Sequence, residues 1–308
     1  MTERSSNQME SSLTGRLRAR TTASRFVIAP ESPQIVPSDR RFRGNLNRYG
    51  SSRTVMRASL EDVPASSYDV KLKIEGFNAA VAGHNHTPVP ADFWGKVALD
   101  SARLDEDSYT KSEEECTIVV DASGSGSCDF YYQADEVSGQ ASFSASTMID
   151  GIPEDATSTL DVRIDNLLDI RALTSLIGGT LRGEDADHVD DVAFRSTITT
   201  AARTALMMAV FTNATTSPQR PQGLAMLMND ISLPWGGLFD VTGDWVQPHE
   251  SHRRGRGVDV NSRGTAVPNL QLPPAARPLV LLSRPTMEEA CVQAGGYVIV
   301  EDTFHCEF

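Results

Sequence analysis

Two imidazoles and a carboxylate in the C-terminal part of the chain have the types and spacing for metal chemistry. The run Pro248-His249-Glu250-Ser251-His252-Arg253-Arg254-Gly255-Arg256-Gly257-Val258-Asp259 sets His252 seven residues before Asp259. The last seven residues, Asp302-Thr303-Phe304-His305-Cys306-Glu307-Phe308, supply a second His. Two His and one carboxylate are the ligand set of a zinc site that leaves its fourth position to water. A helical zincin motif is excluded. It needs two residues between Glu and the second His, and His249-Glu250-Ser251-His252 has one. No other segment proposes a reaction.

The residues must therefore be positioned by strands and turns. Gly257-Val258-Asp259-Val260-Asn261 alternates as a strand, with Val258 and Val260 on one face and Asp259 on the other. His252 precedes a glycine turn at Gly255 and can fold back towards Asp259. On the final strand His305 and Glu307 share a face, while Phe304, Cys306 and Phe308 share the opposite one. Laid beside the Asp259 strand, this strand completes a His252, Asp259 and His305 site with an open position. Asp302, three residues before His305, is the carboxylate placed to take a proton from a water activated there.

This pattern resembles a group of zinc peptidases that comprises D-Ala-D-Ala dipeptidases and carboxypeptidases and penicillin-insensitive murein endopeptidase. The Ser-His…Gly…Asp segment of the endopeptidase branch is matched by Ser251, His252, Gly255 and Asp259. Its terminal Asp-His-Phe-His is matched by Asp302-Thr303-Phe304-His305. The resemblance implies zinc on His252, Asp259 and His305, with Asp302 as the base. It makes His249 a second catalytic candidate, for substrate or the oxyanion. Arg253, Arg254 and Arg256 are candidates for binding the substrate. The implied activity is hydrolysis of peptide bonds in peptidoglycan stems or cross-links, or of another peptide. Thr303 departs from the pattern, standing where the endopeptidase branch has a His. That shifts the expectation from murein endopeptidase to a related zinc metallopeptidase.

The rest of the chain divides by texture. Residues 1–64 are polar, Arg-rich and broken by prolines, and are expected to form a largely disordered arm, with one short extended segment at Phe26-Val27-Ile28. Residues 65–165 carry short alternating runs: Tyr68 to Ile74, Thr117 to Val120, Cys128 to Tyr132, Gly139 to Ala145 and Ser158 to Ile164. Such runs, bounded by Gly, Asp, Ser or Pro, predict an antiparallel β-sandwich. The segments Asp121-Ala122-Ser123-Gly124, Cys128 to Tyr132 and Val137-Ser138-Gly139-Gln140 resemble bacterial immunoglobulin-like domains. Residues 166–308 are expected to form an α+β domain. Its helices run from Val192 to Phe211, capped by Asp190 or Asp191, and from Thr286 to Gln293, stopped at Gly295-Gly296. A buried strand is expected at Leu224 to Met228, and others at Tyr297 to Glu301 and Phe304 to Phe308. The expected whole is multidomain: an Ig-like sandwich followed by an α+β domain of zinc-peptidase type.

Charge and cysteine usage bound the partners. Residues 1–60 hold 11 Arg, no Lys and four acids, a balance of +7 that leaves −20 for the remainder of a chain whose total is −13. An acidic body argues against nucleic acid, which needs clustered cations. No apolar run is long enough to span a membrane, and no secretory leader is recognisable. Four cysteines in two local pairs, Cys116 with Cys128 and Cys291 with Cys306, favour disulfides and an extracellular, periplasmic or cell-surface location. The first pair would be bridged across a β-hairpin. His84-Asn85-His86 is expected to be a solvated turn. A second functional reading stands beside the peptidase. In it the chain is a non-catalytic cell-surface or appendage structural protein, with the Ig-like domain making contacts, the peptidase fold serving as a scaffold, and the arm of residues 1–64 ordering against a neighbouring subunit or polymer.

Overall fold

A computed structural model describes residues 25–38, 50–84, 88–106, 108–171, 180–181, 195–215, 227–228, 231–238, 245, 251–260, 277–300 and 304–308. Nine strands come first: β1 (Phe26–Pro30), β2 (Gln34–Ile35), β3 (Arg53–Leu60), β4 (Ser67–Asn78), β5 (Lys96–Ala98), β6 (Glu113–Val119), β7 (Gly126–Gln133), β8 (Gly139–Ile149) and β9 (Ile152–Val162). They form two sheets, ordered β1-β3-β7-β5 and β2-β9-β8-β4-β6. All pairings are antiparallel except β2 with β9.

Alternation explains why these sheets face each other. Met56, Ala58 and Leu60 on β3 and Phe130 and Tyr132 on β7 are buried. So are Val70, Leu72 and Ile74 on β4 and Ala141, Phe143 and Ala145 on β8, and all belong to one apolar cluster. Tyr132 and Phe143 meet edge to face across the sheets with centroids 5.0 Å apart, a contact worth about 0.5–1.5 kcal/mol beyond its buried area. The β8–β9 hairpin closes on Asp150 and Gly151 with φ of 54° and 77°. Positive φ at both positions is the two-residue turn whose twist matches the flanking strands.

Two expectations about this half are corrected. The arm boundary at residue 64 is wrong, because β1, β2 and β3 lie within residues 26–60 and belong to the sandwich sheets. Phe26, Ile28, Met56, Ala58 and Leu60 alternate inward, a period-two signal that the surrounding Arg and Pro obscured. The other is the hairpin. Cys116 and Cys128 are disulfide-bonded, but β6 pairs with β4 and β7 pairs with β3. The bond therefore joins the two sheets of the sandwich.

The C-terminal half contains β10 (Leu168–Asp169), β11 (Thr180–Leu181), β12 (Arg195–Ser196), helix α1 (Ile198–Thr215), β13 (Leu227–Met228), β14 (Gly257–Val260), helix α2 (Arg277–Gln293), β15 (Tyr297–Val300) and β16 (Phe304–Glu307). The strands β11-β13-β14-β16-β15 form a mixed five-stranded sheet, and β10 pairs with β12. Helix α1 begins at Ile198, not Val192. Its first turn is capped by Thr197, whose hydroxyl accepts from the Thr200 N–H at 3.1 Å; Asp190 and Asp191 lie outside the described residues. Helix α2 starts nine residues before the expected Thr286 and continues through Pro285. It stops where expected, with Gly295 at φ +82° and the Gly296 N–H bonded to the Cys291 carbonyl. Met207, Met208 and Phe211 of α1, Met287, Ala290 and Cys291 of α2, and Val258, Val260 and Cys306 of the sheet share a second core.

The halves meet through residues 231–238. The Leu238 N–H donates to the Glu136 carbonyl at 2.8 Å, the Ile164 N–H to the Trp235 carbonyl at 2.9 Å, and the Ser138 hydroxyl to the Gly236 carbonyl at 2.5 Å. Gly237 has φ +79°, and a Cβ there would lie 2.6 Å from the Ser138 nitrogen. Only glycine lets the backbones approach this closely.

Candidate metal centre

β14 and β16 pair antiparallel with Asp259 directly opposite His305. The face shared by Val258, Val260, Cys306 and Phe308 packs into the second core, which turns Asp259 and His305 to the other face. His252 arrives from a short 3-10 turn over Ser251–Arg254. The glycine after that turn has φ +62°, and a Cβ on it would lie 2.9 Å from Ser196 Cα and 3.1 Å from the Arg195 carbonyl. Gly255 is thus required both by its backbone angle and by its neighbour, which explains its place in the sequence pattern.

The three side chains converge. His305 Nδ1 lies 2.6 Å from Asp259 Oδ1, and His252 Nε2 lies 3.1 Å from Asp259 Oδ2. The two rings stand edge to face with centroids 5.1 Å apart. One potential ligand atom from each residue falls within 4.8 Å of the others. His252, Asp259 and His305 are 0%, 3% and 1% exposed, so a lone pair offered here is shielded from competing water. Ligand atoms about 2.0–2.2 Å from a tetrahedral ion lie roughly 3.3–3.6 Å apart, so small movements would admit one.

The outer contacts fit a metal as well as the ligands do. His252 Nδ1 is 2.6 Å from the Ile231 carbonyl oxygen. A carbonyl only accepts, so Nδ1 carries a proton and Nε2 is the nitrogen turned towards Asp259. This selection of one nitrogen by a backbone acceptor is how metal-binding imidazoles are commonly oriented. Burial works against the Asp259 charge, yet the attraction and hydrogen bonds of His252 and His305 hold its carboxyl far below the usual range. Burial likewise works against protonated His305. The hydrogen bonds to Asp259 and Glu307, with their charges, outweigh it and push the imidazole up to about 9.

The other expected residues divide. Asp302 and His249 lie outside the described residues, as does the side chain of Arg253. Arg256 spends its Nε–H on the Phe308 carbonyl at 2.6 Å, which ties it to the last strand. Arg254 is half-buried, which opposes its charge; Arg256 adds to that effect, and Glu307 counters it. Cys291 and Cys306 are disulfide-bonded, so Cys306 faces away from the centre as expected and anchors β16 to α2. His84 corrects the solvated-turn reading. It is 1% exposed, with its ring 5.2 Å from that of Trp245; Asn85 and His86 lie outside the described residues.

Sequence reasoning missed two contributors. The Ile231 carbonyl is a backbone group with no residue-type signature. Glu307 Oε2 lies 3.5 Å from His305 Nε2. Its period-two relation to His305 was visible, but the sequence offered no reason to give it a role.

No family model and no curated protein sequence matches the chain. Among solved structures it is weakly similar to BslA, a bacterial hydrophobin, with TM-score 0.24 and 10% identity over 46% of this chain and 94% of that one. It is also weakly similar to the C-terminal domain of the Streptococcus pyogenes antigen I/II-family protein AspA. There the TM-score is 0.22 and the identity 9%, over 47% of this chain and 54% of that one. The C-terminal domain of the Streptococcus agalactiae polypeptide BspA gives 0.22 and 9%, over 45% and 50%. Scores this low assign neither a fold nor a function.

Proposed function

We propose that this chain is a zinc-dependent peptidase acting on peptidoglycan stems or cross-links, with His252, Asp259 and His305 as ligands. The observation that carries the metal reading is the buried convergence of the three side chains, with the Ile231 carbonyl fixing the His252 ring. Two imidazoles and one carboxylate suit zinc. A zinc ion there would polarise a carbonyl and lower the pKa of water from about 15.7 towards 7.

The chain's own residues supply the rest. Asp259 provides the negative charge that offsets part of the dication, and its burial keeps that charge unscreened. The reaction adds water to the peptide carbonyl carbon and breaks the C–N bond. Asp302, assigned from its place three residues before His305, takes the water's proton and passes it to the leaving amine. His249 and Arg254 remain the candidates for meeting the developing oxyanion or a substrate carboxylate. Two disulfides support work in an oxidising compartment outside the cytoplasm. No helix among the described residues is long and apolar enough to cross a membrane.

The near-complete burial of all three ligands also supports a second reading, a structural ion inside a non-catalytic surface protein. Metal analysis of the purified protein followed by digestion of cell-wall sacculi, with and without chelator, separates the two. Bound zinc with chelator-sensitive release of peptides supports the peptidase. Bound zinc with no release, together with a fall in melting temperature on chelation, supports the structural ion. Protein that takes up no zinc removes both.

A further inference from the structure

We infer that Glu307 is the positioning carboxylate of this centre: it accepts the Nε2 proton of His305 and so commits Nδ1 of that ring to the ion. The inference rests on the zinc reading above and extends it to a residue outside the ligand set.

The argument begins with the two ligand imidazoles. His252 already has its outer acceptor, the Ile231 carbonyl on Nδ1, and turns Nε2 inward. His305 is the reverse, with Nδ1 towards Asp259. A neutral ring that gives Nδ1 to a metal must carry its proton on Nε2, and that N–H needs an acceptor when buried. Glu307 stands two residues along β16, hence on the same face. Its carboxylate is only 12% exposed, with Oε2 3.5 Å from Nε2. That separation is long for a hydrogen bond, and contacts of this kind commonly tighten once a site is filled.

The position also says what Glu307 is not. It faces the nitrogen on the far side of the ring from Asp259, away from where an ion and a reacting water would sit. It therefore acts through His305 and leaves the base role to Asp302. Its place in the sheet is fixed, with Tyr297 as its cross-strand partner on β15. A carboxylate here makes the imidazole a stronger donor to the metal than a backbone carbonyl would. The two ligand rings are thereby made unequal.

The test uses the whole chain. Zinc affinity is measured by chelator competition for wild type, Glu307→Gln, Glu307→Ala and Asp259→Ala, and the visible spectrum of each is recorded with cobalt(II) in place of zinc. Loss of an outer partner of this kind typically weakens metal affinity about 10–100-fold. Glu307→Ala should fall in that range with a shifted cobalt spectrum, and Glu307→Gln should lose less because its amide oxygen still accepts. A residue that only stabilised β16 would lower the melting temperature but leave the cobalt spectrum unchanged. The inference is overturned if wild type binds zinc and Glu307→Ala matches its affinity within about twofold with the same spectrum. Should Glu307→Ala not fold, Glu307→Gln carries the same comparison. If wild type and Asp259→Ala alike bind no zinc, it is the metal reading that fails, and this one with it.

Discussion

The two cores of this molecule are stabilised in different ways. The sandwich core lies between long strands, eight to twelve residues in β3, β4, β7, β8 and β9, and is filled by Phe, Tyr, Ile, Leu and Val. The second core lies beneath a sheet whose strands run two to four residues and is filled largely by Met, Ala and Cys. On its other face this short-stranded sheet buries a carboxylate and two imidazoles. Buried charge contributes little net stability unless it is fully paired, because its desolvation offsets the attraction. The sandwich can therefore stand on apolar burial, whereas the C-terminal half depends on keeping its polar cluster complete. The Cys291–Cys306 disulfide is one means of doing so, and an ion at the candidate centre would be another.

The sharpest way to break that contrast is to remove one member of the cluster. Asp259→Ala should abolish zinc binding and leave two buried imidazoles without their shared anion. Breaking a buried pair in this way typically costs about 3–5 kcal/mol. Hydrogen exchange should show faster opening in β14 and β16 and unchanged protection in β4 and β8. If protection falls equally in both halves, the two cores are not energetically distinct.

Next in size is the disulfide comparison. Each bond closes a short loop, with sequence separations of 12 and 15 residues, and each should contribute about 3 kcal/mol. Their consequences should differ. Cys291→Ser with Cys306→Ser releases β16 from α2 and should weaken zinc binding, since His305 sits on that strand. Cys116→Ser with Cys128→Ser releases one sandwich sheet from the other and should leave zinc affinity unchanged. Equal zinc affinities in the two double variants would count against the anchoring role.

This contrast also marks what could be read from the chain. The pairing of Asp259 with His305 was legible because strand alternation fixes which side chains share a face, and Val258, Val260, Cys306 and Phe308 are apolar where they should be. Gly255 was legible as a turn. The sheet assignment of Cys116 and Cys128 was not, because a strand, a glycine turn and a strand read the same whether the second strand pairs with the first or crosses to the facing sheet. The start of the sandwich at Phe26 was hidden by neighbouring Arg and Pro residues. Burial of His84 against Trp245 depended on residues far apart in sequence, which local composition cannot report. Nor does any residue pattern announce that the Ile231 carbonyl orients His252.

A smaller perturbation tests whether the halves communicate. Residues 231–238 carry the Ile231 carbonyl at one end and grip the sandwich at Glu136 and Ser138 at the other. Gly237→Ala forces a Cβ against the Ser138 backbone at a positive φ, and strain of this kind costs about 1–3 kcal/mol. If the segment is a rigid strut, zinc affinity should fall several-fold although residue 237 touches no ligand. An unchanged affinity with a lower melting temperature would confine its effect to the junction.

The finest test is the pH dependence of the centre. In the metal-free protein the His305 imidazole is held up at about 9, where burial is outweighed by the hydrogen bonds and charges of Asp259 and Glu307. At pH 7 that ring is protonated, so zinc must displace a proton from it, whereas Asp259, held far below the usual carboxylate range, has none to give up. Apparent zinc affinity should therefore rise about tenfold per pH unit from 7 and level off near 9, and not near the ordinary imidazole value of about 6.5. The stability of the metal-free form should run the opposite way. A pKa raised on folding contributes fully below about 6.5 and is lost as pH climbs through about 9. Chelator competition across pH 6–10, with calorimetry in two buffers to count the released proton, checks both signs. An affinity that is flat from pH 7 to 9 would mean that the ring is already neutral, and that the cluster is held by the ion alone.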